Sequence, residues 1–363
     1  MLTLFDLVEK ALSGGFLTVD EGALLFREAP LPLLMQAAHT LRNRYHNPDE
    51  VTWIIDRNIN YTNICTSGCQ FCNFFRGKNS HEAWTISFEE MCEKIDELFR
   101  LGGDQILLQG GMHPNYDIGW YETLFKALKE RYPDLKLHAL GPPEVYHIAK
   151  ISGLDVKVVL ERLIAAGLDS LPGAGAEILS DRVRQQISPA KCSTDDWLDV
   201  MHEAHKLGLV TSATMMFGHI ETIEERMEHL VRIRDIQARR PEGATGFISF
   251  IPWPFQDEGT RLSKRLNQRF TTTTSEYVRM IAISRLMLPN ISNIQASWLT
   301  TGMAAGTVCL FAGANDFGSI MIEERVVSVA GSHHSADSNQ LTEAIRSTGF
   351  TPIRRNQRFE PIN

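Results

Sequence analysis

The sequence has no apolar run of about eighteen residues, the length a helix needs to cross a bilayer. It has no signal-peptide pattern either. In the opening MLTLFDLVEKALSGGF, Asp6, Glu9 and Lys10 break what would have to be an uninterrupted apolar stretch. Basic residues are in deficit: 36 Lys and Arg against 44 Asp and Glu leave a formal net charge of -8. That excludes a broad surface for nucleic acid or an anionic membrane, but not a local basic pocket. Cysteine is scarce, 6 in 363 residues, so the chain is not a disulfide scaffold. Low-complexity tracts, linkers and short repeats are also missing. These absences together predict a cytoplasmic, reducing compartment.

What is present is alternation. Apolar, β-rich runs are each followed by a turn and a helical pattern. The candidate strands are VTWIID (51–56), QILLQG (105–110), LKLHAL (135–140), DSLPGA (169–174), TSATMMFG (211–218), GFISFIPW (246–253), NIQASW (293–298) and CLFAGAND (309–316). The helical segments between them have clear starts. One opens with a Ser87-to-Glu90 capping box and stops at Gly102; Thr18 to Glu21 and Thr273 to Glu276 form two more boxes. Eight strand–helix alternations predict an α/β fold, a (β/α)8 TIM-type barrel, with a doubly wound open sheet as the runner-up. The barrel is expected over 51–325. A helical N-terminal extension (1–50) precedes it. A C-terminal extension (326–363), with RVVSVAG at its start and a last helix near 338–348, is expected to pack on it. Chemistry in such a barrel sits at the C-terminal ends of the strands.

In NYTNICTSGCQFCNFF, Cys65, Cys69 and Cys72 are spaced C-x3-C-x2-C directly after the first strand, at that face. The other cysteines, Cys92, Cys192 and Cys309, are scattered and are expected to be buried free thiols. Structural zinc needs four ligands in knuckles, and neither His81 nor His113 has knuckle spacing. Ferredoxin clusters need four thiolates. A cubane held by three leaves one iron open to a small molecule.

The C-x3-C-x2-C loop, with aromatic Phe71 before Cys72, resembles the signature of the radical S-adenosylmethionine (SAM) enzymes. The resemblance runs over most of the chain. DRNINYTNIC, CQFCNFFR, GGDQILLQGG, AGLDSLPGAGAEIL, TSATMMFGHIET, FIPWPFQ and GANDFGSIMIEERVV are similar to the cyclic dehypoxanthinyl futalosine synthases, a family of menaquinone biosynthesis. The resemblance implies a 4Fe-4S cluster on Cys65, Cys69 and Cys72, with S-adenosyl-L-methionine on its open iron. It implies that a deoxyadenosyl radical takes a hydrogen from the ribose of dehypoxanthine futalosine. The carbon radical then adds to the benzoate ring, and loss of an electron and a proton restores aromaticity. The implied partners are this small-molecule substrate and a one-electron reductant such as flavodoxin or ferredoxin, with no nucleic acid and no membrane. A sister enzyme, such as aminofutalosine synthase or a subunit of the F420 deazaflavin synthase, is the alternative. A non-catalytic iron–sulfur scaffold or sensor is the alternative of another class.

The same resemblance implies roles for single residues. Gly110 and Gly111 in QGGMHP stand where the superfamily has a GGE-like motif for SAM's amino group; Met112 replaces the Glu, so backbone carbonyls must serve. His113 is expected as the terminal base or a substrate donor, and Tyr61 as a catalytic residue at the barrel mouth, near Asn58 and Asp316. Glu177 is expected on SAM's hydroxyls or amine, or else as an acid at a helix N-terminus. One of Arg182 and Arg184 is expected on SAM's carboxylate and the other in solvent; Arg182 is the one assigned to the cofactor. Met216 belongs to the strand expected under SAM, and 252–255 offer aromatic walls.

Overall fold

The computed structural model describes residues 2–323 and 334–362. RVVSVAG and the expected boundary at 325 lie outside the described residues. Three helices come first: α1 (Leu4–Leu12), α2 (Val19–Glu28) and α3 (Leu31–Tyr45). The strands that follow are β1 (Glu50–Ile54), β2 (Asp56–Asn60), β3 (Gln105–Gln109), β4 (Lys136–Ala139), β5 (Ser170–Leu171), β6 (Val210–Phe217), β7 (Phe247–Pro254), β8 (Asn293–Ile294) and β9 (Asp316–Ser319). Between them run α4 (Phe88–Arg100), α5 (Ile118–Arg131), α6 (Pro142–Ser152), α7 (Val156–Ala166), α8 (Asp181–Ile187), α9 (Thr194–Lys206), α10 (Ile223–Ala238), α11 (Arg261–Leu266), α12 (Thr274–Met287), α13 (Trp298–Thr301) and α14 (Met303–Cys309). The described chain ends with α15 (Ser338–Arg346) and β10 (Thr351–Arg354).

Strands β2 to β8 form one parallel sheet in sequence order, as successive βα units require. The break at Ile55 lets one long segment serve two sheets: β1 is the centre of a second parallel sheet, ordered β10-β1-β9. Strand β9 closes the ring. The Ala296 N–H donates to the Asp316 carbonyl (2.9 Å) and the Asn315 N–H to that of Ile294 (3.1 Å) on the β8 side. On the other side the Ile322 N–H donates to Asp56 and the Asn58 N–H to Ile322, both at 3.1 Å. The expected parallel barrel is therefore present, and the mouth at its C-terminal end collects the loops after each strand.

Apolar residues such as Ile106, Leu108, Leu137, Phe125 and Leu128 fill the layer between ring and helices. Helices α1 to α3 pack outside α10 and α12. Gly22 permits this: a side chain there would meet Met287 Sδ at 2.7 Å and Met227 Sδ at 3.1 Å. The boxes at Thr18/Glu21 and Ser87/Glu90 form as expected. At Thr273 only the hydroxyl caps, because the Glu276 carboxylate turns instead to Arg226 Nη1 (2.7 Å).

The eighth expected strand needs correction. CLFAGAND is not extended: Cys309 ends α14, Leu310–Ala312 form a 3-10 turn, and the strand starts only at Asp316. A short apolar run that buries Cys309, Leu310 and Ala312 reads alike as strand or helix. Gly313 makes the turn between them with φ 103°, and a side chain there would meet Arg285 Cβ at 2.9 Å.

Candidate active site

The cysteine loop leaves β2 and is tied to its surroundings by backbone bonds. The Cys65 N–H donates to Arg76 (3.0 Å), Thr66 to Met112 (3.1 Å) and Gln70 to Ile187 (2.7 Å). Cys65 Sγ accepts the backbone N–H groups of Met112 (3.3 Å) and Ser67 (3.4 Å), and the Cys69 thiol donates to Ser67 Oγ (3.3 Å). Burial pushes the Cys69 thiol up to about 11; it raises Cys72 too, against backbone bonds from Phe75 and Phe74. These thiols keep their protons until a metal displaces them. Among the described residues no three His, Cys, Asp or Glu side chains converge to hold a single ion. Cysteines round a loop, with N–H groups aimed at sulfur, fit a cluster held by three thiolates.

Gly110 and Gly111 bring the loop after β3 against these cysteines. A side chain on Gly111 would stand 2.8 Å from Cys65 Cβ and closer still to the Ile64 carbonyl; one on Gly110 would enter the Tyr61 ring at 2.7 Å. The Gly110 N–H reaches Glu144 Oε1 at 3.3 Å. Glu144, in the first turn of α6, has no motif that marks it in the sequence. Burial pushes its carboxyl up to about 7, despite the Gly110 N–H and the Tyr61 hydroxyl at 3.1 Å.

Glu177 holds a left-handed φ of 41°, strained for a residue other than glycine. Its Oε1 accepts from Lys191 Nζ (2.9 Å), and Arg184 Nη1 lies 3.7 Å from Oε2. Oε2 itself is buried with no hydrogen-bond partner among the described residues. That orphan acceptor matches a donor from a bound molecule, such as an amine or a ribose hydroxyl. Lys191 also lies over the Phe71 ring at 5.3 Å. Burial opposes its charge, but Cys69 and Glu177 outweigh burial and hold the ammonium above its ordinary range. Nothing in SPAKCS announced this lysine. Met216 links the same corner: its N–H donates to the Glu177 carbonyl (3.0 Å) and its carbonyl receives His219 Nε2 (3.0 Å).

Several expected residues stand elsewhere. Tyr61 does not face the mouth; it is buried, with its hydroxyl 2.8 Å from that of Tyr121 and donating to Glu144. Arg182 turns to α10, where it pairs with Glu225 (2.7 and 2.5 Å) and the Ile220 carbonyl. Arg184 is the buried one, bonded to the carbonyls of Gly175, Ala176 and Cys192. Asp316 lies at the opposite end of the ring, in a two-pronged pair with Arg355 (2.8 and 2.9 Å). His113 stays near the mouth, its ring stacked on Tyr116 (3.7 Å) and Tyr116 on Trp120 (3.9 Å). Its Nδ1 accepts the Asn115 N–H at 3.2 Å, an arrangement that favours the ring proton on Nε2. Burial also lowers its affinity for a second proton.

Inside the ring is a cavity of about 110 Å³, reached by Asp56, Gln105, His138, Ser170, Gln295 and Ser319. Ile54, Leu107, Val210, Ile248 and Ile251 line it as well, and Arg355, committed to Asp316, marks it as lying at the end of the ring away from the mouth. Asn60 Oδ1 and Gln105 Oε1 are buried acceptors without partners among the described residues.

Comparison with known proteins sets this geometry in context. The model "Radical SAM superfamily" matches residues 59–233 and "CofH/MqnC C-terminal region" matches residues 244–363. A cyclic dehypoxanthine futalosine synthase of Streptomyces coelicolor is 43% identical over 359 residues, 98% of this chain and 88% of that one. One from Halalkalibacterium halodurans is 38% identical over 361 residues, 99% of this chain and 95% of that one. Among solved structures, methylornithine synthase is similar with a TM-score of 0.73 at 21% identity, covering 96% of this chain and 97% of that one. At that identity the likeness shows the fold alone.

Proposed function

The chain belongs to the cyclic dehypoxanthine futalosine synthase family of the radical SAM superfamily, and from that membership we propose that it cyclises dehypoxanthine futalosine in menaquinone biosynthesis. The observation that carries this is identity of 43% over 98% of the chain. Cys65, Cys69 and Cys72 are the residues that would hold a 4Fe-4S cluster. Gly110, Gly111, Glu177 and Met216 are those that would receive S-adenosyl-L-methionine. When bound, the cluster and SAM supply one electron and a hydrogen-abstracting radical. A one-electron carrier such as flavodoxin or ferredoxin is the proposed source of that electron.

The chain's own residues bind, orient and shield. Glu177 offers its orphan Oε2 to a hydroxyl or amine, while Lys191 and Arg184 hold the carboxylate in place. Glu144 keeps the loop at Gly110 close to the cysteines. His113 presents Nε2–H to the substrate, backed by the Tyr116 ring. The loops that meet at the mouth of the barrel exclude water from the reacting carbon.

The test is anaerobic. The protein is reconstituted with iron and sulfide, then given SAM, dithionite and dehypoxanthine futalosine. Loss of two hydrogens from the substrate, abolished by Cys69→Ala, is expected. Deoxyadenosine without that mass change would move the assignment to a sister substrate.

A further inference from the structure

The chain is acidic overall, yet residues 259–275 hold Arg261, Lys264, Arg265 and Arg269 and no carboxylate. This stretch contains α11, and it packs directly on the cysteine loop. The Leu262 N–H donates to the carbonyl of Gln70, the residue that follows Cys69, at 2.8 Å. Asn73, which follows Cys72, donates from Nδ2 to the Glu258 carbonyl at 2.8 Å. The Arg261 guanidinium lies 4.5 Å over the ring of Phe75.

All four cations are exposed, and pairing separates them into two groups. Arg269 pairs with buried Asp257 at 2.9 Å. Arg261, Lys264 and Arg265 are exposed, and among the described residues none of them has a carboxylate partner. Leu266 stands beside them, 40% exposed, an apolar group in a basic setting. Charges left unpaired on an acidic protein raise the local potential and draw an oppositely charged partner.

We infer that the exposed face of α11 is the docking surface for a small acidic one-electron carrier protein, which delivers its electron to the cluster through the adjoining loop. The inference rests on the radical SAM assignment above. Lys264 and Arg265 steer the partner by charge, and Leu266 supplies the apolar contact at the centre. One electron passes from the carrier's reduced cofactor to the cluster, and the carrier leaves oxidised by one electron.

The probe is a purified bacterial flavodoxin, titrated against the reconstituted holoenzyme by calorimetry at low and high salt. Wild-type protein is expected to bind, with affinity that falls as salt rises. The double variant K264E/R265E is expected to bind about tenfold or more weakly at low salt. L266A is expected to weaken binding without changing its salt dependence. Lys157→Glu, a charge reversal on the exposed face of α7, is the control and is expected to bind like wild type. Equal affinity for wild type and K264E/R265E would overturn the inference, as would equal weakening by the control. Turnover with dithionite reads the functional assignment separately and shows that the double variant is folded. Turnover with reduced flavodoxin should fall in parallel with affinity, and an unchanged rate at subsaturating flavodoxin also counts against the surface.

Discussion

Lys191 Nζ lies 2.9 Å from Glu177 Oε1, and the two side chains, 15% and 6% exposed, form an ion pair beside Cys69. Removing one partner of an enclosed pair leaves the other uncompensated, at a cost of about 3–5 kcal/mol. Lys191→Met is therefore expected to lower the melting temperature. Loss of a cation near the thiolates also disfavours the more negative reduced cluster, so its midpoint potential should move tens of millivolts negative. Redox titration followed by electron paramagnetic resonance checks this. Adding Glu177→Gln should recover stability and part of the potential, because the Glu177 carboxylate also acts on Cys69, less strongly than Lys191. An unchanged potential in Lys191→Met alone would show that Lys191 does not act on the cluster ligands.

Gly111 tests how closely the loop after β3 fits the cysteines. A methyl there would stand 2.8 Å from Cys65 Cβ, with backbone beside it that cannot step aside. Gly111→Ala should cost about 1–3 kcal/mol in overpacking and lower iron incorporation by displacing Cys65. Gly77→Ala, where a side chain meets nothing within 4 Å, is the comparison and should load iron like wild type.

Glu144 predicts a pH dependence. Burial raises its folded-state carboxyl from 4.5 to about 7. The folded state therefore holds a proton that the unfolded state has lost between those values. Its favourable contribution is complete below about pH 4.5 and is lost as pH rises through about 7. Glu144→Gln should flatten the fall in melting temperature across that window. Parallel curves for the two proteins would contradict the shift.

Arg182 and Arg184 should behave oppositely. Arg182 is 48% exposed and pairs with Glu225, so Arg182→Ala should cost no more than about 1 kcal/mol. Arg184 is buried and joins three backbone carbonyls of two loops. Each such bond of a charged group contributes about 1.5–3 kcal/mol, so Arg184→Met should strongly destabilise the fold and loosen Glu177. Chemical denaturation of both variants measures the difference.

The elements were legible because each is coded locally. Ser87 and Glu90 cap α4 through neighbours three residues apart, and the alternation of apolar runs with helices predicts βα units. The cysteine loop was legible for the same reason, since C-x3-C-x2-C fits within eight residues, Cys65 to Cys72. The eighth strand was not: CLFAGAND is apolar on every side because it is buried against α3 and α12, and burial hides period.

The sequence by itself determined the barrel, the triplet of thiols and the family. The barrel and the triplet depend on spacing along the chain and the family on the resemblance of its motifs, and both survive without coordinates. Only the tertiary structure decided which groups meet. Tyr61 turns to Tyr121 of α5 and Glu144 of α6, residues 60 and 83 positions away. Arg184 rather than Arg182 approaches Glu177, because α8 turns one toward the loops and the other toward α10. Lys191 reaches Glu177 and Cys69 from a segment with no motif at all. These pairings are set by how the loops cross at the mouth of a closed ring, and no local pattern records which side chains that crossing brings together.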